Sequence, residues 1–217
     1  MKGLLIKDFK LLLMQKNFFI VFIGISIIMA ATTNDISFII GYLTFIISLF
    51  SLSTISYDEF DNGNAFLFTL PFSRMDYVIE KYCFSALLGL CANITSIVLT
   101  LAYCLFKGTK PDMEMLFTAL AIFAVMLLMQ AIMIPIQLKF GSEKGRVAII
   151  AISGVAFIIG IGAFRLLTLL DVNIDELINT IASIRTEIIA VIVIILLAIV
   201  LFISFNISNT IMRKKEF

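Results

Sequence analysis

The sequence predicts an all-α integral membrane protein with six transmembrane helices, and three observations carry that prediction. Of 217 residues, 61% are hydrophobic and 14% charged, where a soluble domain carries roughly 25% charged residues. Mean hydropathy is +1.12. The apolar residues form continuous runs close to the ~17–25 residues that a hydrocarbon layer about 30 Å thick requires. Because the runs do not alternate as barrel strands do, helices are the backbones that hide their own polar groups there. The charged residues collect in short interruptions between the runs, which leaves one transmembrane domain over 1–217 and almost no soluble part.

The elements follow in order. Over 1–16, Lys2, Lys7, Lys10 and Lys16 are interleaved with Leu5, Phe9, Leu12 and Leu13. That spacing gives an interfacial helix with one basic and one apolar face, or else an inward extension of the first span. Nothing resembles a cleavable signal peptide, because no small-residue cleavage site follows the first apolar segment. The first span, 18–33, is short, and Thr32-Thr33-Asn34-Asp35 turns the chain into the second, 36–56. A polar interlude occupies 57–81. The third span is 82–106, closed by a turn at Lys107-Gly108-Thr109-Lys110-Pro111, and the fourth is 115–138, bent near Pro135. A polar loop over 139–146 leads to the fifth span, 147–164. The insert 165–187 alternates Leu166, Leu169, Leu170, Ile174 and Leu177 with Asp171, Asp175 and Glu176. It is too polar to span and too amphipathic for a free loop, so it predicts short helices at the far interface. The sixth span, 188–205, ends in Arg213-Lys214-Lys215.

Orientation follows from the basic residues. Placing the N-terminus inside puts Lys2, Lys7, Lys10, Lys16, Arg74, Lys81, Lys139, Lys144, Arg146, Arg213, Lys214 and Lys215 on the cytoplasmic side, against Lys107, Lys110, Arg165 and Arg185 opposite. The positive-inside rule then makes both termini and 57–81 cytoplasmic, in a plasma membrane whose lipids are the chain's constant partner. The net charge of +1 gives no basic footprint for nucleic acid.

Several chemistries are missing. The cores of the six predicted spans hold no Asp, Glu, Lys, Arg or His, which argues against ion-coupled transport and charged channel filters. The chain has no histidine, the commonest metal ligand and general base, so neither a metal site nor catalytic residues are expected. No glycine-rich phosphate loop is present, so energy for uphill movement has to come from another polypeptide and the chain needs no cofactor of its own. Cys83, Cys91 and Cys104 fall along one predicted span, too far apart to bridge, and read as buried residues.

The interlude carries the clearest functional signal. Asp58, Glu59 and Asp61 precede an Asn62-Gly63 turn, an apolar run over 65–70, a breaker at Pro71 and Ser73, which can cap a new helix. Phe60, Phe66, Leu67, Phe68, Leu70 and Phe72 are too apolar for bare exposure. Rimmed by charge at the membrane boundary, they describe a docking knob for a soluble partner rather than a solvated loop. Within the spans, Gln130 and Gln137 share one face, Met126, Met129 and Met133 a neighbouring stripe, and Asn93 lies mid-way along the third span. These residues could wall a pathway for a greasy substrate or serve as interhelical hydrogen-bond glue. Small residues at Ser85, Gly89 and Asn93, and at Ala156, Gly160 and Ala163, mark close helix approaches.

Tyr57-Asp58-Glu59, Leu70-Pro71-Phe72-Ser73-Arg74 and Glu80-Lys81-Tyr82, set between the second and third of six spans, resemble the small bacterial ABC-2-type transporter permeases over essentially the whole chain. The resemblance implies an exporter permease that pairs with an identical or related permease and engages two copies of a cytoplasmic ABC ATPase, which binds the ATP and Mg. It makes 1–16 the interfacial elbow and places the coupling helix within 62–74. Asp58, Glu59, Asp61, Phe66, Leu67, Leu70, Pro71 and Arg74 then face the ATPase, and 165–187 closes the outer mouth. Amphipathic peptides such as phenol-soluble modulins or peptide antibiotics are the implied substrates. Alternatives are the substrate-capturing subunit of a vitamin-uptake system and a non-transporting immunity protein; a membrane enzyme lacks any nucleophile motif. Abundant Ile, Phe, Lys and Asn suggest an AT-rich, Gram-positive source.

Overall fold

The computed structural model describes residues 2–33, 36–60, 63–108, 113–169 and 186–215, and among them every regular element is helical. In chain order these are α1 (Lys2–Met14), α2 (Lys16–Thr33), α3 (Ile36–Glu59), α4 (Gly63–Leu67), α5 (Arg74–Lys107), α6 (Met113–Leu169) and α7 (Thr186–Lys214). Among the described residues, four segments are long and apolar enough to cross a membrane: Ser37–Glu59, Arg74–Lys107, Met113–Gly141 and Ala190–Lys214. Lys2–Met14 and Lys16–Met29 meet the same test only together, as one element bent by 61°. Asp61, Asn62 and the greater part of the 165–187 insert lie outside the described residues, as do the side chains of Ala156, Gly160 and Ala163.

Two boundaries differ from the sequence expectation. The third membrane helix begins at Arg74 rather than near 82. Ser73 caps it: the Ser73 hydroxyl accepts from the Asp76 backbone N–H at 3.0 Å, and the Asp76 carboxylate accepts from the Ser73 N–H at 3.0 Å. This reciprocal box satisfies N–H groups that a helix start otherwise leaves orphaned. At about 1.5 Å per residue, the 34 residues of α5 extend well past a ~30 Å layer. The second difference is the expected loop over 139–146, which is a single break inside α6. Gly141 adopts φ 76°, ψ −177°, a region essentially reserved for glycine, and the helix resumes immediately beyond it. The expected bend at Pro135 is not the interruption; helical backbone runs through it.

α3 is the centre of the bundle. It packs on α5 and α6, while α2 leans on it from one side and α7 lies against α6 and α5. Ser48, Ser51 and Thr54 of α3 are buried and return their hydroxyls to carbonyls three residues back, at 2.8–2.9 Å, a pattern that lets polar side chains sit in an apolar bundle. Gly89 marks a close approach, since a Cβ there would lie 1.9 Å from Cε of Met126. Apolar packing divides into one cluster around Ile39, Leu43, Phe50, Phe84 and Leu88 and another around Leu4, Ile55, Leu67, Tyr77, Leu138 and Met212. The second cluster lies under the polar interlude and positions the candidate site. Cys83 and Cys91 are exposed, contrary to expectation, and only Cys104 is buried.

Candidate functional site

The segment between α3 and α5 has two faces. After α3, the chain turns back at Gly63, where a Cβ would stand 2.8 Å from the Asp58 carbonyl oxygen, so any larger residue would force the turn off the helix end. The short helix α4 unwinds through backbone bonds from Phe68 to Asn64 (3.0 Å), Thr69 to Phe66 (3.1 Å) and Leu70 to Leu67 (3.2 Å). Leu67 is buried in the cluster beneath, and Phe68 and Phe72 pack against it. The Phe68 ring lies 5.6 Å from Tyr77 and 5.7 Å from Phe72. Phe60, Phe66 and Leu70 point the other way, 73%, 72% and 45% exposed, with exposed Pro71 beside them.

The carboxylates expected to rim this knob have other partners. Asp58 is buried: its Oδ2 accepts from Lys81 Nζ at 2.8 Å and from the Tyr77 hydroxyl at 3.1 Å, and its Oδ1 pairs with Lys7. Lys81, fully buried on α5, also reaches Asp8 Oδ2 at 2.5 Å and donates to Thr54 at 3.1 Å. Thus α1, α3 and α5 are joined by one ionic knot in which three carboxylates (Asp8, Asp58, Glu80) face two ammonium groups (Lys7, Lys81). Among the described residues, Glu80 Oε1 and Oε2 and Asp8 Oδ1 find no hydrogen-bond donor. Asp8 Oδ1 does lie 3.2 Å from Lys7 Nζ, and Glu80 Oε2 3.7 Å from Lys81 Nζ, as charge contacts. Burying ions is costly, and removing one partner leaves its opposite charge uncompensated.

Glu59 and Arg74 face α7. Glu59 Oε1 pairs with Lys215 Nζ at 2.8 Å. Arg74 Nη1 donates to the carbonyls of Met212 (2.8 Å), Arg213 (3.0 Å) and Lys215 (2.7 Å). The structure therefore brings Asp58, Glu59, Leu67 and Arg74 together beneath the segment and leaves Phe66, Leu70 and Pro71 on its outer side.

From the sequence, Asp8 and Tyr77 go unnamed and Lys81 reads as a cytoplasmic charge and part of Glu80-Lys81-Tyr82, although a signal for the pairing is there. Asp8 shares a helical stripe with Leu4 and Leu12, and Lys81 shares one with Tyr77, Phe84 and Leu88, so each charge falls on an apolar face.

The span residues are engaged in packing. Gln130 donates to the Ser48 carbonyl (3.1 Å) and Ser51 hydroxyl (3.3 Å), Gln137 to the Leu52 carbonyl (3.3 Å) and Ser56 hydroxyl (2.7 Å). Asn93 donates to the Ala119 carbonyl at 3.0 Å and Thr44 at 3.3 Å. Met126 is buried, Met133 half-buried and Met129 40% exposed. Between α5, α6 and α7 lies an apolar groove of about 510 Å³ lined by Tyr82, Cys83, Ala86, Leu127, Phe202 and Phe205, with Gln130 at its wall.

Long apolar helices around a polar-laced centre, with charge gathered at one end, define a multi-pass membrane protein. The particular family is settled by comparison: the model of the ABC-2 family transporter proteins matches residues 3–213, and the chain belongs to that family. Neither the curated proteins nor the solved structures contain a match.

Proposed function

We propose that this chain is the permease subunit of an ATP-driven exporter, crossing the membrane six times with both termini in the cytoplasm. The reading takes 18–33 and 147–164 as the spans that complete the six, the latter helical throughout as the second arm of α6. A separate cytoplasmic ABC ATPase, two copies per permease pair, binds ATP and Mg and docks on residues 60–73. The observation that carries this is the two-faced segment: Phe60, Phe66 and Leu70 exposed on a short piece of chain whose inner face packs into a cluster shared with α1, α3, α5, α6 and α7. An exposed apolar tip on a rigid base suits a groove on a moving partner, because displacement of the tip has to displace the helices that hold it. The apolar groove beside α7, open toward lipid, supports hydrophobic or amphipathic cargo, peptides included, entering from the bilayer.

The test is co-purification. Expressed with the ATPase that accompanies it, the wild-type chain should retain that subunit in detergent, and Phe66→Asp together with Leu70→Asp should lose it. Both side chains are exposed, so the variant should elute and melt as the parent does. Undiminished retention by the double variant would remove the docking assignment.

A further inference from the structure

The docking segment begins after Glu59 and ends before Arg74, and both residues hold the same piece of chain, the end of α7. A helix leaves its last carbonyls without intrahelical donors; here Arg74 supplies two of them, those of Met212 and Arg213, and also the carbonyl of Lys215 just beyond, from 2.7–3.0 Å. Lys215 in turn spans two elements, donating to Glu59 Oε1 at 2.8 Å and to the Leu138 carbonyl at 3.0 Å. That carbonyl lies just ahead of the Gly141 break in α6. Met212 is buried in the same cluster as Leu67 and Leu138, and the Arg74 guanidinium sits 5.9 Å from the Phe68 ring. Charge-assisted bonds of this kind are about twice as strong as neutral ones.

We propose that Arg74, Glu59 and Lys215 are positioning residues that clasp both ends of the docking segment to the C-terminal end of α7, so that motion of the segment is delivered to the last membrane helix as well as to α3 and α5. This deepens the proposed function and rests on it for the segment's role; the clasp itself is testable without any partner.

Amide hydrogen exchange on the full chain in lipid nanodiscs reads it directly. A chain ending at Met212, and separately Arg74→Gln, should raise exchange at 63–70 by about tenfold or more through loss of local protection. Residues 84–100 should stay at the wild-type rate as the control for folding. Lys215→Met, which leaves the arginine in place, should give a smaller rise at 63–70. Were the tail merely an end that frays, the rise would be confined to 205–212 with 63–70 unchanged, and that result overturns the proposal. If the truncated chain does not fold, Lys215→Met carries the same decision at 63–70. Co-purification separates the two claims. Lys215→Met should keep the ATPase because Phe66 and Leu70 are untouched, whereas a wild-type chain that never retains an ATPase defeats the docking reading and leaves the exchange result standing.

Discussion

α3 and α7 are both long enough and apolar enough to span a membrane, yet 61% of the most apolar stretch of α3 is buried inside the protein and only 6% of that of α7. The order is the reverse of what a water-soluble bundle shows. α7 reads Ile, Val, Leu and Phe along 188–203, and Ile194 and Phe202 are 66% and 68% exposed. α3 carries Thr44, Ser48, Ser51, Thr54 and Asp58, all buried. In a bilayer, lipid solvates a leucine as well as another helix does, so hydrophobicity gives no reason to be inside. Polar side chains do, because only protein neighbours can satisfy them. Of these two spans, the polar-laced one becomes the core and the greasier one the outer wall.

The comparison can be broken at the polar end of α3 first. Lys81→Met would leave Asp8 and Asp58 buried with only the half-buried Lys7 between them, a loss of about 3–5 kcal/mol by analogy with broken buried pairs. Thermal or denaturant unfolding in detergent should show a large drop. A shift no greater than that of a surface substitution would mean that water reaches the knot.

Gly141→Ala comes next. It asks an alanine to hold a positive φ, and its Cβ would meet Glu59 Oε2 at 3.1 Å. About 1–3 kcal/mol is expected, with the end of α3 disturbed before the end of α7. Gln130→Leu sharpens the contrast at the middle of α3, where loss of the bonds to Ser48 and Ser51 should cost about 0.6 kcal/mol, the usual worth of an interhelical hydrogen bond in a membrane. Ile194→Ala on α7 is the smallest, within about 0.5 kcal/mol. If it destabilised as much as a core substitution, α7 would have to be covered by something other than lipid.

Much of this was readable in the chain itself. Hydrophobic runs locate the helices because each must exceed the thickness of the bilayer, and Ser73 followed by Asp76 announces the start of α5. The family resemblance carried by 57–82 agrees with the family match over 3–213. What could not be read was pairing at a distance. Lys7 and Asp8 are neighbours in sequence and look like a solvated pair, yet α1 turns Asp8 inward to meet Lys81, 73 residues on. The same holds for Arg74, which reads as a cytoplasmic charge and is spent on α7 carbonyls 138 to 141 residues away. A loop at 139–146 was the natural reading of its polar composition. It is a one-residue break because a single glycine reaches a backbone shape that would otherwise need several residues.

The burial of Asp8 also bears on how the protein is made. The ribosome releases that carboxylate long before it has synthesised Lys81, so the nascent N-terminal helix has no buried counter-charge to settle against while α2 and α3 are being inserted. Docking of α1 through Asp8 is therefore expected to follow synthesis of Lys81, and a nascent chain stopped short of residue 81 should leave 2–14 open to protease.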